Sequence, residues 1–242
     1  MLRREITIEG RPHWQLIPQI EHARLSGELA EAYQPLAVSP LRDSLLKAVH
    51  HHDDGWREWD EAPELDEQGR PLTFSEVDRA TSLAIWERSI SRTLTRDFTA
   101  AYFVAEHFKQ LLLRDENAQA DPECRRWLEE MADTQMLAAS EIGKAELDRY
   151  QEVVPGFDAL SLWMCEAIMR DEPSFELTCG NGKAITFTRQ ARWQFTAKPW
   201  PFEGPQLNGS LEAKLVPVAR YKNTSELLPA ATVEQIEWQM NK

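Results

Sequence analysis

Residues 48–63, AVHHHDDGWREWDEAP, are the stretch on which the expected fold depends. They close a segment whose apolar residues recur at the spacing of one helix face. The residues on that face are Leu41, Leu45, Ala48 and His52. Gly55 interrupts the pattern, and residues 56–73, rich in proline, glycine and acids, predict an exposed loop. The sequence therefore predicts that these three histidines and several acids lie at the C-terminal end of a helix.

Two interpretations of this helix end are open. A histidine at a helix C-terminus is favoured by the helix dipole, and the acid beside it can simply face solvent. Alternatively, imidazole and carboxylate groups together are ligands for a divalent metal. Successive helix residues point about 100° apart, so only one of His50, His51 and His52 can face a given ion. His52 is favoured because it lies on the apolar stripe, whereas His51 would lie beside the opening as a substrate contact or a solvated residue.

Composition and charge limit the class of protein. Lys and Arg number 27 and Asp and Glu number 40, so the net charge is 27 − 40 = −13. Such a charge repels a polyanion, which argues against duplex nucleic acid as the main partner. The three cysteines lack CxxC spacing, which is atypical of a disulfide framework or a thiolate zinc site and indicates a reducing compartment. No stretch approaches the roughly 18 apolar residues of a membrane span, so we expect a cytoplasmic protein with no membrane partner.

Hydrophobic spacing predicts helices along the first two thirds of the chain. They are expected at residues 18–33, 39–54, 75–94, 97–114, 121–154 and 157–171. Beyond Pro173 the period changes to two, which predicts a hairpin around the Gly-Asn-Gly turn at residues 180–182 and further short strands. A short strand is also expected at residues 4–9 and a short helix at the C-terminus.

The expected fold class is mainly α, a helical bundle with a small C-terminal antiparallel β-sheet. We expect a single domain over residues 1–242. Its helical body would cover about 12–172 and its strand-rich portion about 174–222.

Four potential metal ligands fall within or at the ends of the predicted helices. They are His22, His52, Asp53 and Asp158. Neighbouring helices of a bundle can aim such side chains at one interior point. Taken singly, His22 could be a core histidine and Asp158 an acid that stabilises a helix N-terminus. Taken together, they predict a site for one divalent ion. Imidazole with carboxylate suits Zn, Mn, Fe or Ni better than it suits calcium.

The order of these ligands resembles that of the HD-domain superfamily of metal-dependent phosphohydrolases. Its mark is a helix histidine, a later adjacent His-Asp pair and a distant aspartate, which here are His22, His52-Asp53 and Asp158. The segment HDDG at residues 52–55 is similar to the His-Asp-apolar-Gly motif that is common at the His-Asp pair of this superfamily, with Asp54 in place of the apolar residue. The resemblance implies an HD-domain-like bundle, one Mn, Fe, Zn, Ni, Co or Mg ion, and hydrolysis by water that the ion activates.

Three segments resemble more closely an uncharacterised bacterial family known only as a domain of unknown function. They are EHARLSGELA at 21–30, HDDGWREWDEAP at 52–63 and FDALSLWMCEA at 157–167. This resemblance covers most of the predicted helical body and implies no activity.

The HD resemblance also assigns candidate roles near the ligands. Dinuclear HD-like proteins use two further histidines for a second ion, and this chain has only His107 in that interval. We therefore expect one ion, with His107 beside its ligands or carrying a proton. Glu58 and Asp54 are the candidate proton donors because they lie just past the His-Asp pair.

Arginines near the predicted ligands are candidates for substrate binding. Arg24 and Arg57 could hold a phosphate, since a guanidinium binds phosphate oxygens in a bidentate way. Such residues are more often ordinary surface groups.

Three functions follow from these observations. The first is an HD-like metal-dependent hydrolase of a small phosphorylated metabolite or nucleotide. The second is an HD-like di-iron oxygenase, which would need more histidines than the chain offers. The third is a non-catalytic, metal-stabilised binding module whose acidic surface meets a partner.

Overall fold

The computed structural model describes residues 1–166, 171–178 and 183–242, without the side chains of 133–140. Its strands are β1 Leu2–Ile8, β2 Arg11–Ile17, β3 Ser174–Leu177, β4 Ile185–Ala191, β5 Gln194–Lys198, β6 Gln206–Pro217 and β7 Thr232–Asn241. Its α-helices are α1 Gln19–Ala32, α2 Arg42–His51, α3 Arg57–Glu61, α4 Arg79–Leu94, α5 Phe98–Arg114, α6 Glu116–Ala120, α7 Pro122–Ala138, α8 Lys144–Tyr150, α9 Val153–Met164 and α10 Thr224–Leu227. A 3-10 turn, Asp54–Trp56, joins α2 to α3.

The described strands form one seven-stranded sheet in the order β1-β2-β6-β7-β5-β4-β3. Adjacent strands are antiparallel except β5 and β7, which run parallel. The N-terminal hairpin β1-β2 and the C-terminal strand β7 are both part of this sheet. The sheet is therefore mixed, and it draws its strands from both ends of the chain.

The predicted fold class, a mainly α HD-domain-like bundle with a small C-terminal antiparallel sheet, is wrong. The sheet is a major layer of the fold and contains a parallel pair. Strand β2 was missed, although His13, Trp14, Gln15 and Leu16 alternate polar and apolar residues over this short stretch, and its last four residues are all buried. The prediction that the chain closes with a short helix is also wrong, because residues 232–241 form β7. Ile236, Trp238 and Met240 are buried at every second residue of β7, as a strand requires.

Other predicted boundaries shift by smaller amounts. The expected helical body begins at Gln19 instead of about residue 12, and the strands extend to Asn241 instead of about residue 222. The helix expected at residues 121–154 is divided by a π-helical turn, Ala139–Gly143, whose last residue has φ of 96°. Strands β3 and β4 pair as the predicted hairpin, whereas its Gly-Asn-Gly turn lies outside the described residues. The single domain stays a prediction.

One apolar core joins the helices to the sheet. Tyr33, at the end of α1, packs edge-on against Phe157 of α9 at 5.4 Å between ring centroids, and lies 6.4 Å from Phe202. Trp163 of α9 is fully buried, with its ring 5.5 Å from that of Phe195 in β5. Each such side chain contributes about 1.5–3 kcal/mol through burial. The core therefore holds α1, α2 and α9 side by side, and these helices carry the candidate ligands.

Candidate metal centre

His22 lies on the buried face of α1. Its side chain is wholly buried, its Nδ1 is hydrogen-bonded to Ser161 Oγ at 2.8 Å, and its Nε2 lies 2.7 Å from Asp53 Oδ2. Ser161, one turn after Asp158 on α9, also donates to the Asp158 carbonyl oxygen at 2.9 Å. The Ser161 hydroxyl therefore holds the His22 ring in an orientation in which the Nε2 of His22 faces Asp53 and Asp158.

His52 caps the C-terminus of α2 and is also wholly buried. Its Nδ1 donates to the Val49 carbonyl oxygen at 2.7 Å, so the neutral form of the ring carries its lone pair on Nε2. That Nε2 has no hydrogen-bond partner among the described residues. It lies 3.4 Å from Asp158 Oδ1 and 3.6 Å from Asp53 Oδ2. An imidazole whose other nitrogen donates to a backbone carbonyl is the usual form of a metal-binding histidine.

Asp158, in the second turn of α9, brings the cluster together. Its Oδ1 is 3.7 Å from His22 Nε2. The ligand atoms of His22, His52 and Asp158 all lie within 4.8 Å of one another. Two ligands about 2.1 Å from one ion lie about 3.0–3.4 Å apart in octahedral or tetrahedral sites. Small adjustments of these three side chains would therefore allow them to bind one cation.

Asp53 stands in a different relation to the cluster. The 2.7 Å between its Oδ2 and His22 Nε2 is a hydrogen-bond length, and Gln19 Nε2 donates to the same oxygen at 3.3 Å. As a fourth ligand, Asp53 would have to separate slightly from His22. In the described arrangement, Asp53 orients His22 and adds negative charge.

The electrostatics of the cluster favour a cation. Burial opposes charge on His52, but the carboxylates of Asp53 and Asp158 outweigh it and raise the pKa of His52 to about 9. Burial also opposes the charge of Asp158, yet the facing imidazole of His52 and the nearby rings of His107 and His22 hold its pKa far below the usual value. The carboxylates that stabilise a proton on His52 would equally stabilise a divalent ion in its place.

His107, on α5, borders the cluster without joining it. Its Nε2 is 3.7 Å from Asp158 Oδ2, and its Nδ1 has no hydrogen-bond partner in the described part of the chain. Burial lowers its pKa to about 4 against the opposing charge of Asp158. His107 is therefore neutral near pH 7, with a ring nitrogen available as a hydrogen-bond acceptor.

A cavity of about 610 Å³ opens onto this cluster. Asp53, Asp158 and His107 form its polar end. Its walls are mainly apolar and include Trp56, Phe74, Trp86, Phe108, Leu111 and Leu162. Arg79, Arg114 and Asp115 also line the cavity. The arrangement can bring a small molecule with an anionic group against the candidate ligands.

The predicted proton donors lie outside the residues that line this cavity. Burial opposes the charge of Asp54, but His51, Arg96 and Arg57 outweigh it and lower the pKa of this carboxyl group. Glu58 is exposed and accepts a hydrogen bond from Arg92, which holds its pKa below the usual value. Both groups stay ionised at neutral pH, so neither is poised to donate a proton. Their catalytic roles stay predictions.

The predicted substrate-binding residues are also placed elsewhere. His51 Nδ1 lies 3.1 Å from Asp54 Oδ2, and Arg57 lies 3.6 Å from the same carboxylate. Arg24 is paired with Glu21 and Glu28 on the outer face of α1. Their roles likewise stay predictions, because the structure joins them to acids and not to the cavity.

Sequence reasoning missed two arginines that do line the cavity. Arg79 begins α4 and Arg114 ends α5. A signal for Arg114 was present, since it follows His107 by seven residues and so lies on the same helix face. Arg79 carries no comparable signal, because only the packing of α4 on α5 brings it to the cavity.

Comparison with known proteins places the chain in a family without assigning it an activity. No curated protein and no solved structure matches it. None of the described helices is both long and apolar enough to cross a membrane. The family described as protein of unknown function (DUF3891) matches residues 6–218. This agrees with the expected resemblance to an uncharacterised family, and it covers both the candidate ligands and most of the sheet. The chain therefore belongs to the DUF3891 family.

Proposed function

We propose that the protein is a metal-dependent hydrolase of a small phosphorylated metabolite or nucleotide. The observation that carries the proposal is the convergence of His22, His52 and Asp158, of which Asp158 lines the cavity. The order of these residues resembles the ligand order of HD-domain phosphohydrolases, which supports the same chemistry although the expected bundle is not the observed fold.

The donor set suits a divalent transition metal. Two imidazoles and a carboxylate, with Asp53 as a further oxygen donor, match Mn, Fe, Zn, Ni or Co, and Mg would depend more on the carboxylates. The Nε2 of His52, buried and without a hydrogen-bond partner in the described part of the chain, is the observation that an ion would explain best. When bound, such an ion polarises a phosphoryl oxygen and lowers the pKa of water.

The residues of the chain supply the remaining requirements. Ser161 and the Val49 carbonyl hold the two imidazoles in place. The apolar walls exclude bulk water, which strengthens electrostatic interactions at the polar end. Neutral His107 can accept a hydrogen bond at Nδ1 from water or from a substrate hydroxyl, and so orient it.

Metal binding tests the proposal directly. We expect calorimetry to show about one Mn²⁺ or Zn²⁺ per chain for the wild type and none for His52→Ala, because the variant loses a ligand and its Nε2 lone pair. His50→Ala is the matched control, since His50 lies two residues away and pairs with Glu31 at 2.9 Å, outside the cluster. Equal binding by wild type and His52→Ala would contradict the proposed centre.

Turnover tests the reaction. Metal-replete protein should hydrolyse at least one member of a panel of phosphomonoesters and nucleotides, and EDTA should abolish that activity. Two bound irons with uptake of oxygen would instead favour the di-iron oxygenase. Absence of bound metal and of turnover would favour the binding module.

A further inference from the structure

One face of α5 carries three chemically different groups along the cavity. His107, Leu111 and Arg114 follow one another at spacings of four and three residues, and all three line the cavity. Residues at these spacings share one face of a helix. Seven residues span about 10 Å along the axis. The Cα atoms of His107, which borders the candidate metal ligands, and of Arg114 therefore lie about 10 Å apart along the helix axis.

A second arginine reaches the cavity from α4. The Arg79 guanidinium pairs with Asp115, and Asp115 also accepts hydrogen bonds from the backbone of Asn117 at 3.0 Å and Ala118 at 3.3 Å. Asp115 is therefore shared between Arg79 and the N-terminus of α6.

Arg114 is not neutralised by any acid that the structure describes. Its Nη2 donates to the neutral side chain of Gln110 at 3.3 Å, and no carboxylate of the described residues pairs with it. With Arg79 and Asp115, it gives this part of the cavity one positive charge in excess. The excess stands out in a chain whose net charge is −13.

The wall between the two charged regions is flat and apolar. The Trp86 and Phe108 rings are stacked, 4.9 Å apart and 10° from parallel. Both rings, with Leu111, line the same cavity. Packing an apolar or aromatic group of a ligand against such a wall is favourable, whereas packing a strongly hydrated group against it is not.

We infer that Arg79 and Arg114 form an anion subsite, and that the substrate carries a second anionic group, carboxylate or phosphate, separated from the reacting phosphoryl group by about the two helical turns between His107 and Arg114. An apolar, flat spacer joins the two groups. The identity of the reacting end rests on the proposed function. The anion subsite itself does not, because it can be occupied without turnover.

Matched phosphonates, which are not hydrolysed, test the subsite. Each pair consists of an aryl phosphonate with a carboxylate at its far end and the same compound with a methyl group there. One pair has a one-ring spacer and the other a two-ring spacer. Binding is followed by tryptophan fluorescence, since Trp56 and Trp86 line the cavity, and by calorimetry. The measurements use the as-purified full chain with and without added Mn²⁺.

For at least one spacer, the wild type should bind the carboxylate compound about tenfold more tightly than the methyl compound, as a charge-assisted hydrogen bond provides. Arg114→Gln should bind the two compounds about equally, and Arg79→Gln should lose most of the preference. Arg126→Gln should behave as the wild type, because Arg126 is an exposed arginine of α7 that does not line this cavity.

A wild type with no preference at either length would overturn the inference, as would a preference that survives in both arginine variants. Failure of the proposed function is a separate result. In that case the protein binds no metal and hydrolyses no phosphoester, while the comparison of carboxylate with methyl compounds still decides the subsite.

Discussion

His52 shows how far a single residue can be placed from sequence. Three histidines follow one another, and the stripe of Leu45 and Ala48 selected the third as the inward one. In the structure His52 is wholly buried, whereas the side chains of His50 and His51 are 24% and 33% exposed and face Glu31 and Asp54. Helical periodicity was sufficient because the stripe continues unbroken from α2 into its cap.

Asp54 also has a physical explanation at the residue scale. Asp54 occupies the position of the apolar residue in the His-Asp-apolar-Gly motif of HD-domain proteins, and it is buried although it is an acid. Arg96 provides an opposite charge for its carboxylate at 3.0 Å, and His51 Nδ1 lies 3.1 Å from it. A buried acid is tolerated here because the Arg96 guanidinium, just after α4, and the His51 ring of α2 lie against it.

Gly55 permits the closest packing around the His-Asp pair. A Cβ at this position would lie 2.1 Å from the Ile85 carbonyl oxygen and 2.8 Å from the Ser89 nitrogen, both on the α4 backbone. We expect Gly55→Ala to lower the free energy of unfolding by about 1–3 kcal/mol, because a backbone cannot move aside as a side chain can. Urea denaturation measures the change.

Gly27→Ala is the matched control for Gly55. Its Cβ would meet only the His50 ring, at 2.0 Å, and that half-buried side chain can rotate away. The gain of about 1 kcal/mol in helix propensity also offsets the clash. An effect of Gly27→Ala as large as that of Gly55→Ala would contradict the role given to the α4 backbone.

At the scale of elements, Asp97 determines where α5 begins. Its carboxylate caps the helix by accepting from the Ala100 nitrogen at 2.9 Å, and it pairs with Lys47 of α2 at 2.9 Å. Burial opposes this charge, but the hydrogen bonds from Lys47, Ala100 and Ser44 outweigh it and lower the pKa of Asp97. The cap thus also ties α5, which carries His107 and Arg114, to α2.

The lowered pKa of Asp97 predicts a pH dependence of stability. A group whose pKa is lower in the folded state stabilises the fold above its unfolded pKa, about 3.9, and loses that effect as the pH falls through the folded value. Asp97→Ala should therefore lower the free energy of unfolding by about 0.5–2 kcal/mol at pH 7. The difference from wild type should shrink below about pH 4.

Asp97→Asn separates the two contributions of the side chain. Asparagine caps a helix about as well as aspartate, but it carries no charge for Lys47. We expect Asp97→Asn to retain most of the wild-type free energy of unfolding at pH 7. We also expect it to lose the part of the pH dependence of stability that comes from Asp97. Chemical denaturation at pH 7, 5 and 3.5 measures both, and an unchanged acid dependence in Asp97→Asn would contradict the assignment.

At the scale of the whole molecule, β7 holds the sheet together. It pairs antiparallel with β6 along ten residues and parallel with β5, so it joins the N-terminal strands to β5-β4-β3. Ile236, in its centre, is 5% exposed and packs in the core shared with the helices. Loss of this strand would divide the sheet.

Ile236→Asp should destabilise the protein by about 3–5 kcal/mol, because it buries a charge without a partner. Val233→Asp, on the same strand but 65% exposed, should change stability by no more than about 0.5 kcal/mol. Because sheet and helices share one core, unfolding by urea should be a single transition by fluorescence and circular dichroism. Two separate transitions would contradict the predicted single domain.

Local sequence patterns determined the helices that carry the candidate ligands. His22, His52 and Asp158 lie on α1, at the end of α2 and on α9, where the apolar spacing predicts helices, because that spacing depends on neighbours within one or two turns. The ligand types and their order were equally visible. They predicted a cluster before any fold was known.

Only the tertiary structure decided the sheet and the other residues of the cavity. The last four residues of β2 are all buried and β7 pairs with strands distant in sequence, so the place of each strand in the sheet depends on partners that no local period specifies. Arg79 reaches the cavity because α4 packs on α5, whereas Glu58 and Arg57 follow the His-Asp pair in sequence but turn toward Arg92 and Asp54. Proximity along the chain is a poor guide here, because the 3-10 turn Asp54–Trp56 separates the His-Asp pair from α3, which carries Arg57 and Glu58.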